Sequence, residues 1–534
     1  MHTDGAGTQG NVASAAAESA ACAYRWLNRL VAVLLAIAAA GGCLYLFVRH
    51  NDFPAGYHPD EPRKAQHIVA NTREYRHPLL LMEAAQALYR SGRFAQNRDG
   101  ALLAGRWASA LMAAGAVGAL ALAAYRVAGL WGLVLAALAA GLCPSLLVYA
   151  HYMKEDAPLM FGMALVVLAA CLFWTARSGW GQWLAVAFLG AACGIAVSAK
   201  YSGIYALAAA LPLVVLKRPG RWYVPPVRLL LLAEYFAAAV LCINYRVADD
   251  PKKFREDFDW ERKHGVTEHR GVTMRQPNAY FVRAVWREAQ PHLLVLGAAA
   301  VVWAFARVRR QGVWDAYVCL FAAGYLVMTS WCVIPFHRYV LPVMVLAHFI
   351  MALEAARAGA ALAGRLRIGW LVPAAVGAIV VAAQGPRCLD FLEQFRSDSR
   401  LRLREWMAAN LPRGASVLAE RDCQLRGAFL GRKEPQPLSQ ISLTDRYKFA
   451  PDAGSLSALA RRYQYIVVID FTYARYFDPC VIPSGGAKEH AEFEYRRKWY
   501  EELYARHELV WASSPRPPTW SYTNPELKLY RIAR

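Results

Sequence analysis

The sequence predicts an all-α polytopic membrane protein with about eleven transmembrane helices, followed by a C-terminal extracytoplasmic α/β domain. Three observations carry this reading. Hydrophobic residues make up 57% of the 534 positions and charged residues only 19%. The apolar residues gather into long runs, most of them close to the roughly 17–25 residues that a bilayer-crossing helix needs. From residue 386 onward those runs stop, and short helical and β-branched patterns replace them.

Taken in order, residues 1–24 are small, polar and Ala-rich and read as a disordered cytoplasmic tail. The apolar run after them has no cleavage site behind it, so it reads as an uncleaved first span. The spans are 28–48, 102–124, 128–149, 157–175, 183–199, 201–216, 228–245, 292–308, 313–334, 339–356 and 368–385. The runs 183–199 and 201–216 meet without a loop. With the N-terminus inside, beside Arg25 and Arg29, the short inner connections carry Arg126, Arg177, Lys217, Arg218, Arg221, Arg307, Arg309, Arg310, Arg357, Arg365 and Arg367, and no Asp or Glu. That is the positive-inside bias. It also accounts for the net charge of +21, which in a soluble protein would point to nucleic acid. The expected partner is therefore the membrane, not nucleic acid. Residues 25–385 form the transmembrane domain, its long segments 49–101 and 246–291 lie outside, and 386–534 follow on the same side.

The tail is a different material. Ser399–Asn410 has helical periodicity, stopped by Leu411-Pro412-Arg413-Gly414. Ser416–Leu418, Tyr465–Ile469 and Leu527–Ile532 read as strands, and 488–506, rich in Glu, Arg and Tyr, as a surface helix. Eleven cysteines show no C-x-x-C spacing, and most lie in apolar runs as small packing residues. Cys423 and Cys480 fall in the tail and are able to pair in an oxidising compartment.

The polar signals fall at span ends. His58-Pro59-Asp60-Glu61-Pro62 opens the first outer segment, and His77-Pro78-Leu79 follows it. Adjacent acids there either start a helix, because carboxylates favour its first turn, or supply a general base, with or without a divalent cation held by Asp60 and Asp156. The next outer turn holds Tyr149 to Asp156 with Lys154 and Glu155, where the acids again serve as caps or as ligands. Lys200, between two short spans, either snorkels to water or binds phosphate. His337 and Arg338 open a later span and either anchor it or do the same. Each cluster is bland alone. Together they fall on one side of the membrane in a topology drawn from other residues. Acids that activate a nucleophile, with Lys and Arg that grip phosphate oxygens, suit a phosphorylated lipid whose headgroup projects outward.

The motifs HPDE, HPLL, YMKEDAPLMF, AKYSG and HRYVLP, in this order over about residues 28–385, resemble the lipid-carrier-dependent glycosyltransferases of the GT-C fold, which include protein O-mannosyltransferases and the aminoarabinose transferase of lipid A. The tail runs SRLRLREWMAANLPRG and YIVVIDFTYARYF resemble the outer domains of bacterial members. The resemblance implies Asp60 as catalytic base with Glu61 beside it. It implies Asp156 or Glu155, with His77, as substrate or metal ligands, and Lys200, Arg338 and His337 around the donor phosphate. Pro62 after the acidic pair, and HPLL where members have HPPL, depart from the pattern and leave the sugar open. The implied reaction moves a sugar from a polyprenyl-phosphate donor to a lipid, glycan or protein acceptor, with inversion, at the outer face of a bacterial inner membrane. No Gly-rich phosphate loop is present, in keeping with a donor that needs no nucleotide cofactor. The rival readings are a transporter or lipid flippase, which would place ionisable residues at mid-depth, and a non-catalytic receptor with the tail as its binding module.

Overall fold

The structure, a computed structural model, describes residues 6–534 except 55, 218–222, 267–270, 289–290, 309–313, 333–335, 364–367, 427–429, 431–439, 448, 514–520 and 533–534. Among the described residues, eight helices are long and apolar enough to cross a bilayer, and two shorter apolar helices, Tyr201–Leu216 and Trp314–Thr329, lie among them. The longest, Arg98–Gly141, is interrupted at Gly129, whose φ of +67° is open to glycine and strained for other residues. A Cβ on Gly132 would lie 2.8 Å from the carbonyl oxygen of Ala124. In a straight helix, residues so far apart in sequence stand two turns apart, so the chain reverses here and forms a helical hairpin. With the hairpin counted as two crossings, the described residues supply about eleven spans. This is a multi-pass membrane protein.

Small residues set the helix spacing. A Cβ on Gly162 would sit 2.5 Å from Ala196 Cα, and one on Gly190 would sit 2.4 Å from the Leu232 carbonyl. The helices Asp156–Thr175, Gly179–Ala199 and Val224–Ile243 thereby pack backbone to backbone, as apolar helices do where lipid offers no hydrophobic drive. The Gly179–Ala199 helix ends at Lys200, and a single 3-10 turn, Tyr201–Gly203, leads into the next span. The two long polar segments fold into short helices at one end of the bundle. Glu61–Val69 and Leu80–Arg90 come from the first, and Pro251–Val266 and Pro277–Glu288 from the second.

The second segment also carries strand β1 (Val272–Met274). The C-terminal domain contains β2 (Ser416–Glu420), β3 (Ser442–Tyr447), β4 (Tyr465–Ile469), β5 (Val481–Pro483), β6 (Glu508–Ala512) and β7 (Leu527–Arg531). Its sheet runs β3-β2-β4-β7-β6, with β2 parallel to both β3 and β4 and the other pairs antiparallel. The central β4 is buried throughout. Its alternate residues serve two cores: Ile466 and Val468 pack with Tyr500 and Leu503 of helix Ala487–Arg506, while Val467 and Ile469 pack with Leu403 and Met407 of helix Ser399–Asn410. β1 pairs antiparallel with β5, which ties the polar segment between two spans to the C-terminal domain.

Two expectations change. The Ala-rich stretch from Ala6 is helical and continuous with the first span to Val48, so the tail assigned to 1–24 is not disordered over its described part. Alanine's high helix propensity extends a helix the span has already nucleated. Cys423 and Cys480 are both free thiols. Cys423 is buried in the core beside Val467, whereas the Cys480 sulfur lies 3.1 Å from an Arg283 guanidinium nitrogen at the β1–β5 ribbon. Loop residues Arg218, Arg221, Arg309, Arg310, Arg365 and Arg367 lie outside the described residues.

Glu420, at the end of β2, is fully buried. It accepts hydrogen bonds from the Ile469 amide at 2.9 Å and from the Tyr500 hydroxyl. Burial pushes its carboxyl from 4.5 to about 8. A folded-state pKa raised above the unfolded one gives stability that is full below pH about 4.5 and is lost as pH rises through about 8. Protection of the β4 amides against hydrogen exchange, corrected for intrinsic rates, is expected to fall between pH 5 and 8. Glu420→Gln is expected to remove that dependence.

Candidate active site

The first polar segment lies at one end of the bundle, and a buried ion pair joins it to the long helix Arg98–Gly141. Glu61 and Arg106 both have no solvent exposure. Arg106 grips the carboxylate with two bonds, Nε to Oε1 at 2.9 Å and Nη2 to Oε2 at 2.7 Å, and donates to the carbonyls of Asn51 and Phe53. The Met153 amide also donates to Glu61 Oε1, at 2.9 Å. Both oxygens of Glu61 are thus committed. The catalytic part assigned to Glu61 does not fit this geometry: it is a structural anchor, and Arg106 its counter-ion.

That anchor presents Asp60 to the cleft. Pro62 in the first turn sets the helix start, and Asp60 occupies the cap position without making a side-chain capping bond. Its carboxylate instead meets Lys154 Nζ at 2.6 Å and lies 3.9 Å from His58 Nδ1. Glu155, at the cap of the next span, likewise makes no capping bond. It takes Lys64 on Oε1, with Lys154 at 3.2 Å and His77 at 3.8 Å from Oε2. One residue on, Asp156 binds Lys200 at 2.6 Å and lies 3.7 Å from Arg338 Nε. Lys200 rests 4.4 Å from the centre of the Tyr339 ring, and the Arg338 guanidinium 3.7 Å from that of Phe336. Arg338 donates to the Tyr522 hydroxyl at 2.7 Å, and the Tyr522 ring lies 4.7 Å from that of His58.

The electrostatics follow from these pairs. Burial alone would raise the Asp60 carboxyl, but the Lys154 and Lys64 ammonium groups hold it well below the usual range. Burial likewise disfavours charge on Lys154, yet Asp60 and Glu155 raise it above an ordinary ammonium. Burial drives His77 and His58 well below the usual imidazole range, so both are neutral at pH 7. Glu261, on helix Pro251–Val266, reaches into the same cleft 3.8 Å from His77 Nδ1, and burial raises its carboxyl.

Asp60, His77, Glu155, Asp156, Lys200 and Arg338 are therefore brought together. The His337 ring lies 5.6 Å from that of Tyr280 on helix Pro277–Glu288. Sequence reasoning passed over Lys64, Glu261 and Tyr522, and it quoted Lys154 without giving it a part. Lys154 carried a signal, lying inside an acidic run at a span end. The other three reach the cleft only through tertiary contacts. Glu234 lies on the exposed face of its span. Among the described residues, no three His, Cys, Asp or Glu side chains converge as metal ligands. Asp60 and Asp156 are each bound to an ammonium group, so this donor set does not fit a resident divalent cation, and no step is derived through one.

Residues 90–244 match the family model of dolichyl-phosphate-mannose-protein mannosyltransferases. No curated protein matches the sequence. Among solved structures, ArnT from Cupriavidus metallidurans bound to undecaprenyl phosphate is similar, with TM-score 0.54, 15% identity, and 93% of this chain and 97% of that chain covered. Its apo state gives TM-score 0.54 and 14% identity over 95% and 98%. The archaeal oligosaccharyltransferase AglB from Archaeoglobus fulgidus, in complex with an inhibitory peptide and a dolichol-phosphate, gives TM-score 0.49 and 11% identity over 90% and 73%. The chain has the GT-C fold that its motifs imply.

Removing one partner of a buried pair leaves the other charge unsatisfied and costs about 3–5 kcal/mol. Arg106→Ala is therefore expected to lower the thermal midpoint of the detergent-solubilised protein sharply. Lys200→Ala, which leaves Asp156 beside Arg338, is expected to lower it far less in the same melting experiment.

Proposed function

We propose that this chain transfers a sugar from a polyprenyl-phosphate donor to an acceptor hydroxyl or amine at the extracytoplasmic face of a bacterial inner membrane. The N-terminus would lie in the cytoplasm and the C-terminal domain outside, as the arginine-rich short loops indicate. The observation that carries the reading is the cluster of paired charges itself. A carboxylate that caps no helix, Asp60, stands beside Lys154, while Lys200 and Arg338 converge on Asp156 next to it. The undecaprenyl phosphate bound to a protein of this fold supports a lipid phosphate as the leaving group.

The acceptor oxygen or nitrogen attacks the anomeric carbon, the bond from that carbon to the phosphate oxygen breaks, and Asp60 takes the acceptor proton. One displacement inverts the centre. Negative charge grows on the departing phosphate, where Lys200, Arg338 and Lys154 stabilise it. While Lys154 holds Asp60, the carboxylate is a weak base. A donor phosphate competes for the Lys154 ammonium, and loosening that bond lets the Asp60 pKa rise toward its ordinary value. Substrate binding thus readies the base. His77, neutral and 3.3 Å from Lys154 Nζ, is placed to steady the ammonium as it changes partner.

A carboxylate required as base contributes typically 10²–10⁴-fold. Asp60→Asn is expected to lower transfer from polyprenyl-phosphate monosaccharides, followed as release of the lipid phosphate, by about 10³-fold with the protein still folded. Retained activity would remove Asp60 as base. Lys200→Ala and Arg338→Ala are expected to raise the donor KM as well as to lower kcat.

A further inference from the structure

The loop before β7 holds two non-glycine residues in the left-handed region, Tyr522 at φ +65° and Asn524 at φ +48°. Asparagine tolerates that region, but a bulky tyrosine there is an outlier. The surrounding structure over-determines the loop. Asp398 accepts from the Asn524 amide at 2.5 Å, Arg402 donates to Asn524 Oδ1 at 2.6 Å, and Arg400 donates to the Tyr522 carbonyl at 2.9 Å. The Tyr152 hydroxyl donates to the Ser521 carbonyl at 2.8 Å, and that tyrosine lies only a few residues before Asp156. Strain held in place by this many bonds is characteristic of functional sites. What it achieves here is to carry a side chain of the C-terminal domain into the cleft of the membrane domain.

We propose that Tyr522 is a positioning residue of the active site, which the C-terminal domain completes by fixing the Arg338 guanidinium toward the donor phosphate. The inference rests on the function proposed above. Asp156, at 3.7 Å from Arg338 Nε, is too distant for a hydrogen bond. The bond to Tyr522 at 2.7 Å is the hydrogen bond that holds the guanidinium among the described residues, with the Phe336 ring stacked 3.7 Å away. Because the Tyr522 oxygen accepts from Arg338, its own O–H hydrogen is left to donate to an anion beside that guanidinium. The ring, against His58, holds the start of the segment that presents Asp60.

Binding of undecaprenyl phosphate to the full-length protein in nanodiscs tests this, with thermal midpoints measured in parallel. Tyr522→Phe keeps the ring and the backbone and removes the hydroxyl. Its expected effect is a roughly 10–100-fold loss of affinity, the size of a lost hydrogen bond to a charged group, at an unchanged midpoint. In an Arg338→Ala background the same substitution is expected to add nothing, because the two act as one unit. Tyr522→Gly, which suits the positive φ but removes the ring, is expected to bind no better than Tyr522→Phe. Wild-type affinity in Tyr522→Phe, effects that add in the double variant, or affinity lost in step with the midpoint would each overturn the inference and leave the functional reading standing. Failure of the wild type to bind undecaprenyl phosphate would remove that reading and the inference with it.

Discussion

Glu61 and Arg106 meet without solvent between the first polar segment and the second span, and the placement of Asp60 and of the turn carrying Lys154, Glu155 and Asp156 follows from that contact. Arg106 lies on the first limb of the Arg98–Gly141 hairpin, which packs against the first span and helix Asp156–Thr175, so the bundle holds its backbone in place. Through Glu61 it fixes the start of helix Glu61–Val69, and through the Met153 amide it fixes the turn that carries Lys154, Glu155 and Asp156. Its bonds to the Asn51 and Phe53 carbonyls hold the chain that leaves the first span. A fully buried pair is costly in desolvation and gives little net stability. What it gives is register. The alternative, a hydrophobic contact of the same volume, would let the two segments slide.

Around this anchor the cleft is built from pairs that can exchange partners. Lys154 lies between Asp60 and Glu155, and Asp156 between Lys200 and Arg338. Such an arrangement keeps each charge compensated in a low-dielectric setting. It also means that an incoming anion replaces an existing partner and does not have to gather scattered cations from solvent. In the proposed transfer, little reorganisation would then be needed as charge moves onto the departing phosphate. Glu261, from a helix whose Trp260 lies under the Arg76 guanidinium, adds a carboxylate 3.8 Å from His77 Nδ1.

Most of the architecture was legible because membrane helices announce themselves. The runs, the short basic loops and the change of composition at 386 are local in sequence, and helix Ser399–Asn410 and strands β2, β4 and β7 follow from equally local patterns. The helical hairpin at Gly129 was legible as two spans with almost nothing between them. The site was legible to the extent that its residues sit in short motifs at span ends, as Asp60, Asp156, Lys200 and Arg338 do. Glu61 was misread because two adjacent acids look alike in a sequence. Only the helix they begin decides which faces the cleft and which faces Arg106. Glu261 and Tyr522 carry no local signature, and their approach depends on how distant segments dock. The helical reach back to Ala6 was missed because polar small residues fit a tail as readily as a helix extended from a span.

The β1–β5 ribbon has a meaning beyond cross-bracing. Its two strands come from different parts of the chain, and the Arg275 amide bonds to the Cys480 carbonyl while the Ser484 amide bonds to that of Gly271. The C-terminal unit is therefore not a cassette that recombination could exchange at a single junction. A replacement would have to arrive with a matching stretch of the loop between two spans, so the two pieces are constrained to diverge as one heritable block.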